Sequence, residues 1–134
     1  MVFVEWILVI VAFVSQLGDG ADRYNWDCGA ASSSMMIQYY TGLKVKPDTL
    51  MDMIGRDRYT TPKDLEMFMN EYGLEITEGY GIPRIVLLNG DHWVVYLGDN
   101  YYHDPLHGPM RYGSLGSGWY VTSVTNDELW KLIK

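Results

Sequence analysis

Apolar positions recur along this chain in two rhythms, and the change between them falls near its middle. From Cys28 to Tyr40 (CGAASSSMMIQYY), Ala30, Ala31, Ser34, Met35, Ile37 and Gln38 mark small and apolar positions at helical spacing, and Gly42 suits a C-terminal cap. This predicts a helix whose first turn holds Cys28. A second helix is expected from Pro47 to Ile54, with Pro47 at its first position and Gly55 past its end. A third is expected from Pro62 to Tyr72, capped by Thr61 and stopped by Gly73, with Leu65, Phe68, Met69 and Tyr72 as its apolar stripe. Thr125-Asn126-Asp127-Glu128 is a capping box ahead of Leu129, Trp130 and Ile133, and predicts a last helix.

Between the third helix and the last, the rhythm shortens. Leu74–Thr77, Arg84–Leu88, His92–Leu97, Tyr101–His103 and Trp119–Val124 are short runs rich in Val, Ile, Tyr and Trp. Asn89-Gly90, Asp99-Asn100 and several glycines punctuate them, as in hairpins. Helices followed by an antiparallel sheet give an α+β fold class. The first fifteen residues, MVFVEWILVIVAFVS, are nearly all apolar. They are too short to span a bilayer, and Glu5 stands where a secretory signal carries positive charge, so a buried strand is expected over a poor signal or membrane anchor. Compartment and membrane association stay open.

A length of 134 residues fits one domain spanning 1–134. The formal charge of −7 sets the surface against phosphate backbones and argues against nucleic-acid binding. Met35, Met36, Met51, Met53, Met67 and Met69 fall on expected helices and read as soft core filling. The chain has one cysteine, Cys28, so no intrachain disulfide and no multi-cysteine metal site is possible. His103 and His107 are four apart, but Pro105 between them breaks the helix that a metal pair at that spacing would need. No metal or cofactor is expected. The run Gly113–Gly118 lacks a following Lys-Ser/Thr and leads into a strand, so it reads as a loop and not as a phosphate cradle.

Cys28 is either a buried thiol or a nucleophile. Helix N-termini carry partial positive charge and unpaired N–H groups, which stabilise a thiolate and would lower its pKa from ~8.5. Gly29 and Ala30 would leave room there for a substrate. A nucleophile needs a base, and the base an orienter. His92 opens the run His-Trp-Val-Val-Tyr-Leu, and Asp104 follows across the turn at Asp99-Asn100. A plain two-residue turn pairs Val95 with Asp104 and faces Asp104 away from His92. A three-residue loop, or a one-residue bulge, pairs Val94 with Asp104. That sets Asp104 diagonal to His92 on one face, roughly 7–8 Å apart at the backbone. Cooperation between the two thus requires an irregular hairpin.

Asp27-Cys28-Gly29-Ala30-Ala31, Gly90-Asp91-His92-Trp93-Val94-Val95 and His103-Asp104-Pro105-Leu106-His107-Gly108 together resemble papain-like cysteine peptidases. Within these, the set is most similar to the bacteriocin-processing (double-glycine leader) peptidases. Ser15-Gln16-Leu17-Gly18 matches a further element of that family, an upstream glutamine, at a longer distance from the cysteine than in papain. The resemblance implies a papain-like fold and a peptide or protein substrate. It further implies a triad of Cys28, His92 and Asp104 acting through a thioester acyl-enzyme, with Gln16 and the Cys28 N–H at the oxyanion. Trp26, Asp27, Gly29, Gly90, Asp91 and Trp93 become candidate substrate-binding residues. A cell-wall peptide amidohydrolase, an acyltransferase or a catalytically silent peptide-binding module would carry the same motifs.

Overall fold

The computed structural model describes residues 11–15, 27–55, 58–111 and 113–124. Three helices come first: α1 (Cys28–Thr41), α2 (Pro47–Met53) and α3 (Pro62–Glu71). Six strands follow: β1 (Leu74–Gly79), β2 (Arg84–Leu88), β3 (His92–Gly98), β4 (Tyr101–Asp104), β5 (Gly108–Arg111) and β6 (Gly118–Val124). They form one sheet in the order β1-β6-β2-β3-β4-β5, every pairing antiparallel. This is the α+β arrangement that the change of rhythm implies. Among the described residues no helix is long and apolar enough to cross a membrane. The helix expected after Thr125, and residues 1–10 of the apolar N-terminus, lie outside the described residues.

Local chemistry explains where the helices stop and start. Gly42 takes φ +79° after α1, and its N–H reaches the Gln38 carbonyl. At α3 the Thr61 hydroxyl accepts from the Asp64 N–H at 3.2 Å, while Asp64 Oδ2 accepts from the Thr61 N–H at 2.8 Å. Arg58 grips the same carboxylate through both of its terminal nitrogens, at 2.7 and 2.9 Å. Side-chain alternation then gives the sheet two faces. Trp93 and Val95 join Met35, Met36, Ile37, Leu50, Leu65, Phe68 and Ile85 in the core under the helices. Val94 and Tyr96 pack instead with Val86, Tyr102 and Leu115.

Three features depart from the pattern read along the chain. Residues 11–15 form no strand. The segment is nevertheless anchored, because His103 Nε2 meets the Val11 carbonyl at 2.7 Å and the Ser15 hydroxyl donates to the Pro105 carbonyl at 3.5 Å. β5 is an additional edge strand, paired residue by residue with β4 from Asp104↔Gly108 to Tyr101↔Arg111. The 113–117 loop is tied down by Arg84, only 3% exposed, which donates to the carbonyls of Gly116 (2.9 Å), Leu115 (2.8 Å) and Tyr80 (3.0 Å). Its guanidinium also lies 4.6 Å from the centre of the Tyr96 ring.

Candidate active site

The β3–β4 hairpin is irregular in the way that cooperation between His92 and Asp104 requires. Gly98 pairs with Tyr101, but Tyr96 pairs with Tyr102 and Val95 with His103, so Leu97 is an extra, bulged residue. Asp99 (φ 52°) and Asn100 (φ 66°) form the turn, and Gly98 (φ 86°) takes the left-handed conformation beside the bulge. The shifted register carries Asp104 to the diagonal of His92. There His92 Nε2 lies 2.7 Å from Asp104 Oδ1.

Asp104 is bound on every side. Oδ1 also accepts from the N–H groups of Leu106 (2.8 Å) and His107 (3.2 Å), while Oδ2 meets His107 Nδ1 at 3.0 Å. Burial alone would raise its pKa. The bonds from His107, His92 and the Leu106 N–H outweigh burial and hold the carboxyl below its ordinary value. His92 presents Nε2 to this charge, which leaves Nδ1 for a partner elsewhere.

Cys28 is brought to the same end of β3 by α1. Its Sγ accepts from the Trp93 N–H at 3.5 Å, and Ser32, one turn further along α1, donates its hydroxyl to the Trp93 carbonyl at 3.3 Å. The N–H and C=O of one strand residue point to the same side, and here that side lies beyond the last β3–β4 pair. α1 therefore takes the place of a strand partner at Trp93, and residues four apart on its surface supply the two contacts. The thiol touches the residue next to His92 and is not hydrogen-bonded to His92 itself.

The expected lowering of the thiol pKa is not found. Cys28 is only 2% exposed, and burial pushes its pKa above the ordinary value. N–H groups of Trp93, Gly29 and Cys28 pull it down in part, and the negative charge of Asp104 adds to the rise. The helix N-terminus acts in the expected direction, but desolvation is the larger effect.

The remaining candidates divide by exposure. Gly90 and Asp91 are exposed in the turn between β2 and β3. Asp27, at the N-cap of α1, is fully buried. Trp93, a candidate for substrate contact, is instead a core residue: it is 2% exposed, its indole N–H donates to the Thr60 carbonyl at 2.8 Å, and its ring meets Trp119 edge-on at 5.5 Å. The room left by Gly29 is likewise filled from within the fold, since a Cβ there would stand 2.4 Å from the Thr60 Cβ. Gln16 and Trp26 lie outside the described residues. Thr60 and His107 carry contacts that the sequence reading did not assign to them. For His107, the signal was its place in the turn closed by Asp104-Pro105.

Three helices packed on a six-stranded antiparallel sheet, the first of them opened by Cys28, make the papain-like peptidase fold. Among the solved structures that superpose on this fold are the following two. One, a double-glycine motif protease from an AMS/PCAT transporter in complex with the leader peptide, superposes with a TM-score of 0.68 at 20% identity, over 85% of this chain and 92% of that one. The other is the peptidase domain of Streptococcus ComA, a bi-functional ABC transporter involved in quorum sensing. It superposes with a TM-score of 0.54 at 16% identity, over 71% of this chain and 90% of that one. No family model and no curated protein matches the sequence.

Proposed function

We propose that this protein is a cysteine peptidase acting on peptides through Cys28, His92 and Asp104. One observation carries the reading: the bulged hairpin that joins His92 Nε2 to Asp104 Oδ1 at 2.7 Å, beside a cysteine opening a helix. Because Nε2 is committed to the carboxylate, Nδ1 is the base. It takes the Cys28 proton as Sγ attacks the scissile carbonyl carbon, and the N–H groups around Cys28 receive the oxyanion, joined by Gln16. Nδ1 then gives the proton to the leaving amine and the C–N bond breaks, leaving a thioester. Water attacks the thioester and gives a proton to Nδ1; the C–S bond then breaks, the acid leaves, and Nδ1 returns the proton to sulfur. Asp104 holds the tautomer and stabilises the imidazolium.

Both structural neighbours are peptidase domains, one named for a double-glycine motif and holding a leader peptide. Peptides containing Gly-Gly are therefore the substrates to try first. Mass spectrometry of such peptides incubated with the protein should show cleavage after Gly-Gly, abolished in Cys28→Ala. Undiminished hydrolysis by that variant would overturn the assignment. The buried thiol, bonded to Trp93 and not to His92, favours a second reading as a silent peptide-binding module. Binding of the same peptides without cleavage would select it.

A further inference from the structure

We propose that His92, Asp104 and His107 form a divalent-metal site, fitted best to zinc, whose occupation silences the peptidase. The site stands on these three side chains alone, and only the loss of turnover rests on the peptidase reading. The ligand atoms, one from each residue, all lie within 4.8 Å of one another. Zinc bonds to nitrogen and oxygen at about 2.0–2.2 Å, so tetrahedral neighbours stand roughly 3.4 Å apart. The two nitrogen–carboxylate separations, 2.7 Å from His92 Nε2 to Oδ1 and 3.0 Å from His107 Nδ1 to Oδ2, are hydrogen-bond lengths to the two different oxygens, and each nitrogen moves out by a few tenths of an ångström when an ion takes the place of the proton. The two imidazole nitrogens, no more than 4.8 Å apart, settle to the same spacing. His107 is free to do so, since it stands on the turn after β4 with 62% of its side chain exposed, against 5% for Asp104.

The support around the carboxylate is also that of a metal ligand. N–H groups of Leu106 and His107 fix Oδ1, so the acceptor is oriented before any ion arrives. The pair of imidazoles selects a borderline-soft ion over magnesium or calcium. Exposure of His92 (22% of its side chain) and His107 leaves a water-accessible fourth position. His103 is excluded, because its Nε2 is engaged with the Val11 carbonyl. Zinc needs His92 Nε2 bare, so the ring proton moves to Nδ1. That is the atom which has to accept the Cys28 proton, and the base is thereby blocked.

The test is calorimetric titration of zinc chloride at pH 7 into Cys28→Ala, Cys28→Ala/His107→Asn and Cys28→Ala/His103→Asn, each first freed of metal. The parent variant should bind one zinc per chain. His107→Asn should weaken binding by at least about tenfold, and His103→Asn should leave it within about twofold. Melting curves in EDTA check that all three are folded, and zinc should raise the Tm of the parent more than that of the His107→Asn chain. Absence of stoichiometric binding in Cys28→Ala, or equal affinity in the His107→Asn chain, overturns the site. The unsubstituted protein separates the two readings. If it shows no hydrolysis while Cys28→Ala binds zinc through His107, the peptidase falls and the metal site stands. Hydrolysis without zinc binding in Cys28→Ala gives the reverse.

Discussion

Replacing Asp104 by Asn removes one charge and little else. The Leu106 and His107 N–H groups point at Oδ1, so the amide keeps its oxygen there and still accepts from His92 Nε2. The tautomer of His92 is preserved, and what disappears is the stabilisation of its charged form. A charge pair at about 4 Å in an effective dielectric of about 20 is worth about 4 kcal/mol. His92 is 22% exposed at its side chain, and screening trims the figure to about 2–3 kcal/mol. That predicts roughly a hundredfold loss of kcat/KM for peptide hydrolysis. Folding loses charge assistance on the bonds that Asp104 accepts, about 1–2 kcal/mol, which lowers Tm by about 4–8 °C. The sign with pH follows from the depressed carboxyl pKa of the folded protein. The contribution is fully present above the unfolded value of about 3.9 and is lost as pH falls through the lower folded value. The Tm gap between the unsubstituted protein and Asp104→Asn should therefore be widest above about pH 5 and close on further acidification. Steady-state kinetics and thermal melts from pH 3 to 7 measure both quantities. A kcat/KM within twofold of the unsubstituted value, or a Tm gap equal at both ends of that range, would contradict this electrostatic role of Asp104.

Other substitutions test the frame around the site. Gly29→Ala drives a Cβ into Thr60 and should cost about 1–3 kcal/mol in urea unfolding, part of it recovered by adding Thr60→Gly; a single variant as stable as the parent contradicts this packing. Trp93→Phe keeps a buried ring but leaves the Thr60 carbonyl unpartnered, for a loss of about 1–2 kcal/mol in the same assay. Arg84→Lys cannot span the carbonyls of Tyr80, Leu115 and Gly116. It should destabilise by about 2–3 kcal/mol and expose residues 113–117 to limited proteolysis, and an unchanged cleavage pattern would count against this role of Arg84.

Local rules made much of this molecule legible from its sequence. Pro47, Pro62, Thr61 and Gly42 mark helix ends because each answers a backbone requirement that no distant contact changes. The register that brings Asp104 to the face of His92 requires either a three-residue loop or a bulge, and the bulge before Asp99-Asn100 is the one found. β5 was not legible, because Gly-Pro-Met-Arg has no alternating pattern and is mostly exposed; it is held by backbone pairing to β4 and by the Arg111 guanidinium over the Tyr101 ring. Nor was the second partner of Asp104, since His107 reaches it through the fold of the turn that follows. The thiol pKa depends on how deeply α1 packs against β3, which spacing along a chain does not encode. For the same reason Gly29 and Trp93 suggested contact with a substrate, whereas both face Thr60.

If Cys28 is a nucleophile served by His92, the loss of that imidazole slows its alkylation. The direct test is the rate at which a peptidyl Gly-Gly chloromethyl ketone alkylates the protein at pH 7, followed by intact mass in the unsubstituted chain and in His92→Ala. With one cysteine in the sequence, the thiol adduct is unambiguous once Cys28→Ala is shown not to label. Labelling at least about a hundredfold slower in His92→Ala is the predicted result. Equal rates in the two proteins, or no labelling until the chain is unfolded, would contradict it.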